Sequence, residues 1–119
     1  MTLRPFRAAL LLAVLSACGG STGSSSTTVS ASGATVISWY VGATDVQTTV
    51  KAGTTVQWQS TDGMAHTVTS SATPSAFAEL QVPANGLSPP MAFNTPGTFQ
   101  FFCSIHGAKV QNGTLTVTP

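Results

Sequence analysis

From residue 34 to the C-terminus, apolar and polar residues alternate in short runs separated by glycine, proline and small polar residues. Val46, Thr48 and Val50 alternate with polar neighbours, as do Val56 and Trp58. Phe99, Phe101 and Cys103 share one parity, and so do Leu115 and Val117. A period of two places alternate side chains on opposite faces of a strand, so each run predicts a strand with one buried face. The pattern predicts strands over 35–41, 45–50, 54–59, 66–70, 90–94, 98–103 and 114–118. Lys51-Ala-Gly53 and Thr95-Pro-Gly97 supply turn chemistry between them. No helical period is sustained. The segment 71–90 reads as an excursion between sheets: 76–80 suits one helical turn, and Pro83, Pro89 and Pro90 prevent anything longer. Many short strands joined by Gly/Pro turns predict an all-β fold, a β-sandwich.

The N-terminus follows another rule. Arg4 and Arg7 precede an apolar stretch over 8–15, then Ser16-Ala17-Cys18. A basic start, a short apolar centre and small residues describe a secretory signal peptide, too short to span a bilayer as a mature helix. Leu15-Ser16-Ala17-Cys18 resembles the lipobox of bacterial lipoproteins, which implies cleavage before Cys18 and acylation of that cysteine. Residues 19–32 are almost entirely Gly, Ser, Thr and Ala, with too little apolar surface to offset ordering entropy. The expected organisation is a signal peptide over 1–17, a lipidated cysteine and flexible tether over 18–33, and one folded domain over 34–119. The expected location is the bacterial cell envelope, on the periplasmic or extracytoplasmic side of a membrane.

Removing the signal leaves Lys51 and Lys109 against Asp45, Asp62 and Glu79. A nearly neutral domain disfavours nucleic-acid binding, which needs many phosphate-neutralising cations, and strong electrostatic steering of a partner. If Cys18 carries lipid, Cys103 has no partner for a disulfide in an oxidising compartment. Such a thiol is a liability unless it is buried or holds a metal.

Cys103 and His106 lie three residues apart at a predicted strand end, with Gln111 five residues further on. His66, the other histidine of the chain, starts a predicted strand. Taken singly, each has an ordinary role as a buried thiol, a strand-end imidazole or a solvated loop residue. Together, two imidazoles, one thiolate and a weak axial oxygen form the donor set of a blue-copper electron-transfer site. Zinc accepts the same equatorial donors. The absence of further base residues and the Irving–Williams order favour copper. Gly107 and Gly113 bracket the loop and permit it to turn back into the last strand.

Several stretches carry a family resemblance: Val56-Gln-Trp58, Asp62-Gly-Met-Ala-His66-Thr-Val-Thr69, Pro96-Gly-Thr-Phe-Gln-Phe-Phe-Cys103-Ser-Ile-His106 and Gly113-Thr-Leu-Thr-Val117. In them the chain resembles the cupredoxins, small blue copper proteins of the plastocyanin and pseudoazurin kind. The resemblance implies a Greek-key β-sandwich with one copper ion, Cu(I)/Cu(II), near one end. It matches His66, Cys103 and His106 to the equatorial ligands. Where the family usually has an axial Met, this chain has Gln111, as in the stellacyanin-like branch. The alternative is a three-coordinate site with Val110 or Gln111 near the metal. Met64 and Met91 do not occupy the axial position of the family and suit core or rim packing.

Thr67 and Ser104, each next to a ligand, are expected to link the His66 strand to the ligand loop. The implied function is one-electron transfer by a membrane-tethered monomeric carrier. Its partners are a redox protein donor and acceptor, and a membrane reached through the lipid. Storage, delivery or sensing of copper is the alternative. An enzyme would need histidines for a second copper centre, and none remain.

Overall fold

The computed structural model describes residues 27–29 and 33–119. The signal peptide expected over 1–17, Cys18 and most of the expected tether lie outside the described residues. Among the described residues there are nine strands and no helix: β1 (Thr27–Val29), β2 (Thr35–Trp39), β3 (Val46–Lys51), β4 (Thr54–Ser60), β5 (His66–Ser70), β6 (Leu80–Val82), β7 (Met91–Phe93), β8 (Gly97–Phe102) and β9 (Asn112–Thr118).

They form two sheets, ordered β1-β2-β4-β7 and β3-β9-β8-β5-β6. The chain passes repeatedly from one sheet to the other, so β2 pairs with β4 in parallel and β3 with β9 in parallel, while the remaining pairs are antiparallel. This is the Greek-key sandwich that the period-two pattern and the family resemblance lead to.

The inward parities meet as expected. Ile37, Trp39, Val56 and Trp58 face Val68, Phe101, Leu115 and Val117, all buried. The Phe101 ring lies between Trp39 and Trp58, with centroids 5.3 Å away on each side. Burying such side chains contributes about 1.5–3 kcal/mol each. Phe101 precedes Cys103 by one strand period, so the packing that seats the ring also fixes where the sulfur emerges.

Three elements depart from the sequence reading. A short exposed strand, β1, falls within the span expected to be tether, where β-branched Thr27, Thr28 and Val29 pair with 35–37. The helical turn expected over 76–80 does not form. Leu80 and Val82 point inward in β6, which pairs with β5 in the register His66↔Val82. Gly113 does not serve as a turn residue. It lies inside β9, where a Cβ would come within 2.6 Å of the Phe101 ring and 2.8 Å of the Val46 carbonyl. Its missing side chain is what allows the aromatic layer to close.

Candidate metal centre

His66 opens β5 at one end of the sandwich. Its strand is fixed from the core by the Trp39 indole, whose Nε1–H donates to the Thr67 carbonyl at 3.0 Å. The turn leading into it is built around Asp62. Oδ1 accepts from the Met64 N–H at 3.1 Å, and Oδ2 from the Val41 N–H at 2.8 Å. Ser60 donates to the Met64 carbonyl at 2.6 Å and closes the same turn. Gly63 sits at φ +74°, in the left-handed region that favours glycine.

Asp62 Oδ1 also meets His66 Nε2 at 2.7 Å. A carboxylate only accepts, so Nε2 carries the hydrogen and Nδ1 presents a lone pair to the interior of the site. Desolvation pushes the Asp62 carboxyl up. The Val41 N–H, the His66 ring N–H and the Met64 N–H outweigh that and hold it well below the usual carboxylate range.

The other three residues come from the β8–β9 loop. Gly107, at φ +92°, turns the chain. The Gly107 N–H donates to the Cys103 carbonyl at 2.9 Å, and the Gln111 N–H to the Gly107 carbonyl at 3.1 Å. The Cys103 N–H donates to the Gln111 carbonyl at 3.1 Å, which closes the loop and sets the two side chains next to each other. Asn112 braces the loop from outside: its Nδ2 donates to the Ala108 carbonyl at 2.7 Å and its Oδ1 accepts from the Asp45 N–H at 2.8 Å.

The side chains converge. Ligand atoms of His66, Cys103 and His106 all lie within 4.8 Å of one another. His106 Nδ1 stands 3.3 Å from His66 Nδ1, 3.4 Å from Cys103 Sγ and 3.1 Å from Gln111 Oε1. His66, Cys103 and Gln111 have no exposed surface, while His106 is half-buried. The Gln111 Nε2 has no hydrogen-bond partner among the described residues, so its amide is placed by the oxygen, which faces the cluster. Four lone-pair atoms of mixed softness around one point, with an unpaired buried thiol among them, fit a single soft-to-borderline cation. Met91 packs against the core from β7, and the Met64 side chain is exposed.

Around the sulfur, the Thr67 N–H donates to Cys103 Sγ at 3.4 Å. The Thr67 hydroxyl accepts from the Ser104 N–H at 2.8 Å and lies 2.8 Å from the Ser104 hydroxyl, joining strand and loop. It also lies 3.0 Å from the Thr69 hydroxyl, which donates to Glu79 at 2.7 Å.

Asp62, Asn112 and Glu79 were not anticipated as site residues. Asp62 had a legible signal, since a ligand imidazole needs an acceptor for its second nitrogen and a carboxylate lies four residues before His66. Glu79 had none, because it stands just before β6, whose pairing with β5 brings it to Thr69, ten positions earlier, across the irregular segment 71–78.

Residues 44–118 match the model of the copper binding proteins, plastocyanin/azurin family. Similar solved structures include reduced Cu(I) amicyanin at pH 4 in a proline-to-glycine mutant, 25% identical over 77% of this chain and 91% of that one, with a TM-score of 0.57. A Cu(I) methionine-to-glutamine mutant of amicyanin is 25% identical over 69% and 81%, with a TM-score of 0.52. The purple cupredoxin from Nitrosopumilus maritimus is 21% identical over 60% and 77%, with a TM-score of 0.52. No curated protein matches. With the fold, the His–Cys–His cluster and the family match in agreement, the chain belongs to the plastocyanin/azurin family of copper-binding proteins, and its cofactor is one copper ion.

Proposed function

We propose that the protein is a membrane-tethered one-electron carrier, with His66, Cys103 and His106 as its copper ligands and Gln111 as a weak axial oxygen donor. The observation that carries this reading is the convergence of those four side chains in one closed, mostly buried cluster. Copper held there supplies a one-electron Cu(I)/Cu(II) couple. The protein keeps the donors in one arrangement. Asp62 fixes the His66 ring, the closed loop fixes Cys103 against Gln111, and the Thr67–Ser104 link joins the two. A rigid donor set suits both oxidation states.

His106 is the member of the set that reaches the surface. Exposed Ile105, Ala108 and Val110 belong to the same loop, and exposed Val41 and Met64 belong to the turns that Asp62 ties to His66. An apolar rim around the exposed imidazole suits docking of a redox protein by surface complementarity rather than by charge. Electron exchange at this face then depends weakly on salt. Cys18 as a lipidated N-terminus keeps the domain in the cell envelope near a membrane, and acylation there supplies the multiple chains that stable anchoring needs.

The carrier reading is favoured over copper delivery by burial, since two of the three proposed equatorial ligands have no exposed surface. Repeated chemical oxidation and reduction during dialysis against a strong Cu(I) chelator separates the two. A carrier keeps its copper and full spectral amplitude through the cycles, whereas loss of copper at each reduction marks a delivery protein.

A further inference from the structure

We propose that Glu79 is a positioning residue for the Cys103 sulfur: it draws the hydroxyl chain beside the site towards itself and so limits the sulfur to one protein hydrogen bond. The proposal rests on the copper reading above and concerns how many donors the ligand sulfur receives.

The chain is short and its polarity follows from donor counting. The Glu79 carboxylate can only accept. Its Oε2 takes the Thr69 hydroxyl at 2.7 Å and faces the Ser104 hydroxyl at 3.4 Å, while its Oε1 takes the Gln81 Nε2–H at 3.1 Å. With its hydrogen committed to Glu79, Thr69 can only accept from Thr67 across their 3.0 Å contact. Thr67, having given its one hydrogen to Thr69, can only accept from Ser104, through both the N–H and the hydroxyl at 2.8 Å. If Ser104 turns its hydrogen to Glu79 instead, the Ser104 and Thr69 oxygens, at 2.8 and 3.0 Å, are both nearer to the Thr67 hydroxyl than the sulfur is, and both lead to the same carboxylate. In either arrangement the shorter oxygen contacts compete for the hydrogen against the long Thr67 Oγ1–H contact to Cys103 Sγ at 3.9 Å, and draw it from the sulfur. The sulfur keeps the Thr67 N–H at 3.4 Å.

Hydrogen bonding at a ligand sulfur sets the electron density it gives to copper, and with it the reduction potential. An acceptor-only group at the far end of the chain therefore acts on the couple without touching a ligand. Glu79→Gln keeps the size and adds a donor. Its amide can give a hydrogen to Thr69, Thr69 can then give to Thr67, and Thr67 can give to the sulfur.

The test uses the copper-loaded protein with Glu79→Gln, Thr67→Val and the double variant. The readouts are copper stoichiometry, melting temperature, reduction potential and pulsed electron–nuclear double resonance in H2O and D2O. In Glu79→Gln we expect unchanged stoichiometry and melting temperature, one additional fast-exchanging proton coupled to the copper–sulfur unit, and a positive shift in potential. In the double variant that proton is lost, and most of the potential shift relative to Thr67→Val is lost with it. The proposal is overturned if Glu79→Gln shows no new exchangeable proton, or if its potential shift persists in full on the Thr67→Val background, as removal of a surface charge alone would give. Failure of the copper reading looks different, since the unmodified protein would then show no copper–sulfur signal at all.

Discussion

At the scale of single residues, the cluster shows how few positions carry the chemistry. Cys103 and His106 were legible because a thiol and an imidazole three residues apart at a strand end constrain each other. Gln111 was legible only through its distance from them. The structure adds the reason its oxygen is available: the Cys103–Gln111 backbone bond at 3.1 Å forces the side chain inward, and its Nε2 finds no partner there. If Gln111 is the axial donor, Gln111→Met exchanges an oxygen that favours Cu(II) for a softer thioether that favours Cu(I). Voltammetry should then show a higher reduction potential with the blue colour retained. An unchanged potential would assign Gln111 to packing and leave a three-coordinate site.

At the scale of elements, the sandwich was readable wherever one strand face is buried and the other is wet. The alternation of Val46, Thr48 and Val50, or of Leu115 and Val117, is a direct consequence of that asymmetry. The reading missed two of the short strands, β6 and β1. β6 has only Leu80 and Val82 to mark it, too few positions for a period to show, and it forms because β5 offers a free edge. β1 is exposed throughout, so no burial pattern distinguishes it from tether.

Loops hid their function for a related reason. Asp62 reads as an ordinary turn residue in the sequence, yet it fastens three segments: the turn after β2 through Val41, its own turn through Met64, and the β5 strand start through His66. Asp62→Ala removes all three. Partners that orient a ligand imidazole are worth about 10- to 100-fold in metal affinity. A competition titration should find copper binding weaker by that order, with the β-sheet circular dichroism retained. Affinity equal to that of the unmodified protein would show that the loop and core packing alone orient His66.

At the scale of the whole molecule, the tether proposed above requires a lipid on Cys18, and docking through an apolar rim is proposed because the domain is nearly neutral. Mass spectrometry of the native protein should find acyl groups on Cys18, and Cys18→Ala should release the protein from membranes. Quantitative membrane partitioning of Cys18→Ala would remove the tether from the account. The central claim is narrower, that one copper ion sits among His66, Cys103 and His106. Adding Cu(II) to the copper-free protein measures it most directly. The account predicts an intense thiolate-to-copper charge-transfer band that saturates at one equivalent and is absent in Cys103→Ser. A protein that stays colourless, or that holds zinc and refuses copper, would contradict it.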